Sequence, residues 1–315
     1  MKPGDIRNKD YICVDDRLFF SVISDEPEQD KLLCWLRYIK DGKKFRKLTT
    51  TEAAEYIQTH YPKLIFHSKL ADSYMHGIPH ESISQYYFAR RCINTLKNLA
   101  SIDSKQTDAL AFINLIEENK LDSSLLGITG SLLINVQNEN SDIDLLVYGR
   151  DAFFQFRSLV KKMVEEHCLS ELNEEAWRDA YQRRECDIGY TDYLRHEKRK
   201  FNKCMINDTK VDITMIPNRN EQIIDAQHYQ KQGKVIIKGM LIDDQYAYDT
   251  PARYYIDNKH IKEVVVYTAT YVGQAVKGEM IEVCGVLEKN KDQGRLVVGT
   301  SREAKDEYIK VIVDS

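Results

Sequence analysis

Two aspartates open an apolar strand pattern near the middle of the chain, Asp142-Ile-Asp-Leu-Leu-Val-Tyr148. Side chains two residues apart on a β-strand leave the same face, so Asp142 and Asp144 are predicted to lie side by side. Neighbouring carboxylates repel each other unless a cation lies between them, and their hard oxygen atoms suit Mg²⁺. The segment therefore predicts a strand that carries a cation site.

A glycine-rich turn precedes this strand and a third acid follows it. In Gly127-Ile-Thr-Gly-Ser131 the glycines let the backbone approach a ligand, and a helix starting there would direct free N–H groups at an anion. Asp212 lies in Val211-Asp-Ile-Thr-Met215, whose apolar side chains share the opposite face. An acid on an apolar strand must be exposed, paired or bound to metal. Turn, acid pair and third acid together predict a site for two metal ions.

These motifs resemble the core of the DNA polymerase β-type nucleotidyltransferases over about residues 105–216. Gly130 and Ser131 match the family's glycine–serine pair, which implies contact with the β and γ phosphates of a nucleotide. Asp142 and Asp144 match its metal-binding pair. Asp212 matches its third acid, which implies a role as general base and metal bridge. The whole chain also resembles an uncharacterised group of prokaryotic proteins with a three-part architecture.

The pattern along the chain predicts an α+β fold in three parts. Residues 1–98 are expected to form a β-rich N-terminal module with linking helices, the last from about Glu81 to Leu99. Residues 99–232 are expected to form the polymerase β-like nucleotidyltransferase core, which starts with a helix over 105–118. Residues 233–315 contain six short strand patterns spaced for a small β-barrel, for which the OB fold is one candidate.

A basic run supplies the remaining candidate site residues. Arg195, Lys198 and Arg199 lie on a predicted helix between the acid pair and Asp212, and they are assigned to nucleotide binding. Contact with the backbone of a nucleic-acid acceptor is a second interpretation, and a solvated helix face is a third. The net charge of −4 means that any nucleic acid would have to bind a local basic patch of this kind.

The cysteines and the apolar runs of the sequence indicate the cellular compartment and the kinds of partner to expect. Seven scattered cysteines contain no C-x-x-C pair, which argues against a disulfide framework or a zinc site and favours a reducing cytoplasm. No apolar run approaches the length of a membrane span, so no membrane partner is expected.

The predicted reaction is transfer of a nucleoside monophosphate from an NTP to an acceptor hydroxyl, with pyrophosphate leaving. Two Mg²⁺ ions are the expected cofactors, with Mn²⁺ as a substitute. The barrel and the basic run favour RNA, such as a tRNA end, as the acceptor. A protein hydroxyl, as in AMPylation, is an alternative. A nucleic-acid-binding protein with an inactive core is another, against which the intact set of Ser131 and the three acids argues.

Overall fold

The computed structural model describes residues 5–69, 72–223, 227, 229–291, 293–299 and 305–313. The chain forms two compact units. Unit 1 consists of Met1–Val147 and Ile206–Asp212, and unit 2 consists of Tyr148–Met205 and Ile213–Ser315. The predicted α+β class is confirmed. The division into three parts at residues 98 and 232 stays a prediction.

A seven-stranded sheet occupies the N-terminal part of unit 1, in the order β5-β6-β3-β2-β1-β7, with β4 paired to β3. Its strands are β1 Tyr11–Val14, β2 Leu18–Val22, β3 Lys31–Asp41, β4 Lys44–Lys47, β5 Ile65–Ser68, β6 Ser73–Pro79 and β7 Ile83–Tyr87. Alternating residues bury one face of the sheet against helix α1, Thr50–His60, through Ala53 and Ile57. The opposite face carries Tyr11, Phe19 and Tyr38, which pack with Ile134.

One prediction in this region is wrong in detail. The helix expected over Glu81–Leu99 is a strand, β7, followed by a shorter helix, α2 (Ala89–Lys97). Tyr87 pairs with Tyr11 of β1, and this non-local pairing fixes the strand. Helix α1 is capped by Thr49, which forms a reciprocal capping box with Glu52.

The middle of the chain contains helix α3, Ser104–Glu118, and a four-stranded sheet in the order β10-β11-β9-β8. The strands are β8 Leu126–Thr129, β9 Ile143–Tyr148, β10 Lys203–Ile206 and β11 Thr209–Ile216. A single helical turn, α4 (Gly130–Leu133), follows β8 directly. These elements agree with the sequence pattern, and they place both predicted acid-bearing segments on neighbouring strands of one sheet.

Three helices and a barrel make up most of unit 2. The helices are α5 Arg150–Glu165, α6 Glu174–Arg184 and α7 Tyr190–Lys198. The strands are β12 Gln230–Asp243, β13 Ala252–Asp257, β14 Glu263–Val266, β15 Met280–Lys289, β16 Gly294–Val298 and β17 Tyr308–Val311. These six strands correspond to the six strand patterns predicted for residues 233–315.

The barrel closes as a ring of five strands in the order β12-β13-β14-β16-β15, since β12 pairs with both β13 and β15. Strands β14 and β16 are parallel, and the other pairs are antiparallel. This strand order is that of an OB fold. Gly285 of β15 lies in a regular ladder, opposite Val235. A Cβ there would stand 2.5 Å from the Val297 carbonyl oxygen, so glycine permits the close approach of β16.

The described residues contain no helix long and apolar enough to cross a membrane. All seven cysteines are free.

Candidate active site

The acid pair lies at the start of β9. Asp142 immediately precedes the strand and Asp144 is its second residue, so the side chains leave one face, as the sequence predicts. Asp144 pairs with Thr129, the last residue of β8. Because Gly130 and Ser131 follow Thr129 directly, the ladder brings the glycine–serine turn beside the acid pair.

The backbone of Gly130 lies against the Asp144 carboxylate, at a distance that leaves no room for a side chain. Its φ is +68°, which favours glycine, and a Cβ at this position would stand 2.2 Å from Asp144 Oδ2. The glycine was predicted to make room for a ligand. The structure shows that it also makes room for the Asp144 carboxylate. Ser131 is 9% exposed and lies in the single turn of α4.

Strand β11 alternates as its sequence predicts. Val211, Ile213 and Met215 are buried, whereas Lys210 and Asp212 are half-buried on the opposite face. That face meets the acid pair through Lys210, whose Nζ lies 2.8 Å from Asp142 Oδ2 and 2.9 Å from Asp212 Oδ2. The structure therefore brings the first and third predicted acids together around one ammonium group.

Lys210 is a site residue that the sequence prediction missed. Its side chain is only 10% exposed. Burial alone would lower its pKa, but the carboxylates of Asp212 and Asp142 outweigh burial, and the net effect raises the pKa of Lys210. The ammonium group is therefore a permanent positive charge between two acids. The available signal was its spacing, because a residue two positions before Asp212 must share its face.

The surroundings of Asp144 disfavour its charged form. Burial raises the pKa of its carboxyl group, Asp212 and Asp142 raise it further, and Lys9 and Lys47 lower it, for a result of about 6. Asp142 and Asp212 act on Asp144 as nearby like charges, so the three predicted acids form one cluster. Half-buried carboxylates that repel one another are stabilised when a cation binds between them.

The donor set fits a hard divalent cation. It offers carboxylate oxygens from three acids, and a cation of the chain's own already contacts two of them. In the part of the chain that the structure describes, no three His, Cys, Asp or Glu side chains are arranged to hold a metal ion as they stand. Lys210 lies between Asp142 and Asp212 and contacts both. Metal binding at these acids therefore requires Lys210 to move or to share them.

The predicted basic run lies in unit 2 and has protein partners there. Arg199, at the C-terminal end of α7, forms a two-pronged ion pair with Glu279, at 2.5 and 2.7 Å, and donates to the Gln274 carbonyl oxygen. Arg195 donates to the Val311 carbonyl oxygen and to Asp192.

Lys198 contacts Glu171 at 3.2 Å, in a pair that is about half exposed on both sides. The run is therefore not a purely solvated face, because Arg195 and Arg199 tie α7 to segments near the barrel strands. Its assignment to nucleotide binding stays a prediction.

Comparison with known proteins gives two matches. Residues 112–200 match the nucleotidyltransferase domain family, a span that includes Gly130, Ser131, Asp142 and Asp144 and ends before Asp212. The full chain is similar to an uncharacterized protein, MJ1086, of Methanocaldococcus jannaschii, with 30% identity over 336 residues that cover 97% of this chain and 99% of the relative. No solved structure matches the chain.

Proposed function

Because this chain belongs to the DNA polymerase β-type nucleotidyltransferase superfamily, we propose that it transfers a nucleoside monophosphate from an NTP to an acceptor hydroxyl in a Mg²⁺-dependent reaction. Asp142, Asp144 and Asp212 are the proposed metal-binding acids. The observation that carries the proposal is the Lys210 ammonium group held between Asp142 and Asp212, beside an Asp144 whose pKa is raised by burial and by its acidic neighbours. The three acids form a negatively charged cluster that favours a bound cation.

Each residue of the cluster has a proposed task. Bound Mg²⁺ would lower the pKa of the attacking hydroxyl and would stabilise the charge on the transferred phosphoryl group and the departing pyrophosphate. Asp142, just before β9, and Asp144, the second residue of β9, would hold the metal. Asp212, on the neighbouring strand, is positioned to bind metal and to accept the proton of the acceptor hydroxyl. Gly130 keeps the backbone close to Asp144, and the Ser131 hydroxyl donates to a phosphate oxygen.

We propose RNA as the acceptor, by analogy with other barrels of this strand order. OB barrels bind single strands on the second and third strands and on the loop between the first two. Here Tyr255 lies on the second strand, β13, and Tyr246 on that loop, with ring centroids 6.2 Å apart. Arg150 lies 4.7 Å above the Tyr246 ring, and Asp249 holds its guanidinium group in a two-pronged ion pair. The two partly exposed tyrosine rings form the surface on which bases can stack.

The buried tyrosines of unit 2 limit this stacking surface. Tyr254 and Tyr271 are almost fully buried, and the Tyr254 hydroxyl donates to the Tyr271 carbonyl oxygen. Tyr248 is also buried. These three residues pack the interior and cannot stack on bases, so we assign stacking to the partly exposed Tyr246 and Tyr255.

The test is to incubate the full chain with each α-labelled NTP, Mg²⁺, and either total RNA or total protein. We expect label to enter RNA and to depend on Mg²⁺. Tyr255→Ala should lower labelling of RNA without changing NTP affinity, since it removes acceptor binding, worth about 1–3 kcal/mol per stacked base. Tyr267→Ala is the matched control, because Tyr267 is exposed and lies outside the second strand and the first loop.

The outcomes separate the three functional interpretations. Label in protein instead of RNA would establish the AMPylation type of reaction and refute the RNA acceptor. RNA binding without any label transfer from the four NTPs would support the inactive-core interpretation and refute the proposed reaction.

A further inference from the structure

A turn of the N-terminal module is fixed against the glycine–serine turn within unit 1. The Lys9 carbonyl oxygen accepts a short hydrogen bond from the Thr129 hydroxyl, one residue before Gly130. Lys9 has a φ of +72°, a conformation that a lysine rarely adopts, and its N–H donates to the Val22 carbonyl oxygen. Asp10, the next residue, accepts from the Ala89 N–H at 2.7 Å. The backbone of Lys9 is therefore held beside the proposed phosphate site.

A second lysine lies on the sheet face that packs against α4 and the residues after it. Lys47, at the end of β4, pairs with Tyr38 of β3, and paired residues of antiparallel strands share a face. Tyr38 in turn pairs with Phe19, and both pack with Ile134, just beyond α4. Lys47 is exposed at the edge of this packed face.

Both lysines approach the residues around the glycine–serine turn. Lys9 does so through its hydrogen bond with Thr129, and Lys47 through the sheet face that packs against Ile134. They belong to a module that contains none of the matched family's motifs. The matched domain begins only at residue 112.

We propose that Lys9 and Lys47 form part of the polyphosphate site, so that the N-terminal sheet supplies cationic contacts to the phosphates of a nucleotide bound at Gly130 and Ser131. The ligand class is a nucleoside triphosphate or its product, pyrophosphate. This inference rests on the proposed function. It gives the N-terminal module a direct part in substrate binding, because a triphosphate needs more positive charge than Lys210 leaves after pairing with two acids.

A purely structural role makes a different prediction. If the lysines only compensate the charge of the acids, their removal should lower stability without changing phosphate affinity. If they bind phosphate, their removal should lower affinity for tripolyphosphate and NTP, and should leave affinity for a nucleoside monophosphate nearly unchanged. The two roles are therefore separated by the number of phosphates on the probe.

The experiment is calorimetric titration of the full chain with inorganic tripolyphosphate, the four NTPs and the four monophosphates, all with Mg²⁺. Lys9→Met and Lys47→Met should each weaken tripolyphosphate and NTP binding about tenfold, as expected for loss of one charged contact. Lys44→Met is the matched control. Lys44 lies on the same exposed strand but at an odd spacing from Lys47, so its side chain leaves the other face.

Thermal unfolding of each variant accompanies the titrations. Lys47→Met is the decisive variant if Lys9→Met fails to fold, because Lys47 is exposed on a short edge strand. Wild-type affinities in Lys47→Met, with or without a loss of stability, would overturn the inference and leave the proposed function standing. Failure of the wild-type chain to bind tripolyphosphate or any NTP would refute the proposed function itself.

Discussion

The acid cluster of unit 1 and the basic run of unit 2 handle their charges in opposite ways. In unit 1, one lysine, Lys210, serves two carboxylates, and the pKa of Asp144 is raised to about 6 by burial and by its acidic neighbours. In unit 2, Arg199 has a carboxylate of its own, in Glu279, together with the Gln274 carbonyl oxygen. Burial would raise the pKa of Glu279, but Arg199 outweighs it and the pKa is lowered.

The difference teaches which charges are available for a ligand. A cation that is already matched by a two-pronged carboxylate stabilises the fold and must break that pair to bind phosphate. Carboxylates that repel one another are stabilised when a cation arrives. Sequence alone gave both clusters to the same site, because charge density does not reveal pairing. The following predictions test this contrast.

The largest effect is expected from the acids. Asp142→Asn, Asp144→Asn and Asp212→Asn should each lower nucleotidyl transfer by about a thousandfold or more, because an amide keeps the shape but loses the charge that binds Mg²⁺. The losses should not add in double variants, since each change dismantles the same site. Asp208→Asn, in the exposed turn before β11, is the control. Turnover within a few-fold of wild type in Asp144→Asn would contradict the account.

Gly130→Ala should come next. A Cβ would stand 2.2 Å from Asp144 Oδ2 and the residue would keep an unfavourable φ of +68°, so Asp144 must shift. We expect about a hundredfold loss of turnover, as for a misplaced reacting group, together with a stability loss of about 1–3 kcal/mol. Gly189→Ala, where a Cβ meets no atom within 4 Å, controls for the added methyl group. Steady-state kinetics and urea unfolding measure both effects, and wild-type turnover would count against the geometry.

Arg199 tests the opposite cluster. Arg199→Ala and Glu279→Ala should each lower the free energy of unfolding by about 1–3 kcal/mol, and the double variant should lose less than the sum. Arg199→Lys should recover only part of the loss, because lysine cannot form the two-pronged pair. Urea unfolding measures these values. A raised KM for NTP in Arg199→Ala with a normal KM in Glu279→Ala would instead support the predicted nucleotide contact.

Lys210→Met should give the smallest effect, a change in stability that depends on whether Mg²⁺ is present. Without Mg²⁺ the variant should be less stable by about 1–2 kcal/mol, because Asp142 and Asp212 lose their shared cation in a partly exposed setting. Saturating Mg²⁺ should stabilise the variant more than the wild type, since no ammonium group competes for the acids. Melting temperatures with EDTA and with Mg²⁺ give the comparison. Lys43→Met, in the exposed turn before β4, is the control, and an equal response to Mg²⁺ in all three proteins would refute competition.

The sequence predicted what local pattern can specify. Alternation in Val211-Asp-Ile-Thr-Met215 was enough to place Asp212 on the polar face of β11, and spacing placed Asp142 beside Asp144. The sequence prediction failed where the secondary structure depends on pairing with strands distant in the chain. The sequence predicts helix where β7 lies, because a short run such as Ile83–Tyr87 fits both helical and strand periods and only pairing with β1 distinguishes them. Strand β4 is exposed throughout and has no apolar signal.

The same limit applies to the site. Lys210 looked like an ordinary strand lysine, since nothing local shows that Asp142 stands opposite it. Lys9 and Lys47 lie far from the motifs in sequence, and only the fold of unit 1 brings them towards Asp144. Spacing in the sequence therefore predicts which acids share a strand face. It does not predict which lysines lie near those acids, because tertiary structure brings them there.

The central claim is that Asp142, Asp144 and Asp212 hold divalent metal ions, and counting bound Mn²⁺ tests it most directly. Electron paramagnetic resonance of the full chain, titrated with Mn²⁺ in the presence of an unreactive NTP analogue, gives the number of ions bound per complex of protein and analogue. The account predicts two ions in the site of the wild-type complex and at most one in Asp144→Asn. The same number of ions in Asp144→Asn as in the wild type, or no ion bound by the wild-type complex, would contradict it.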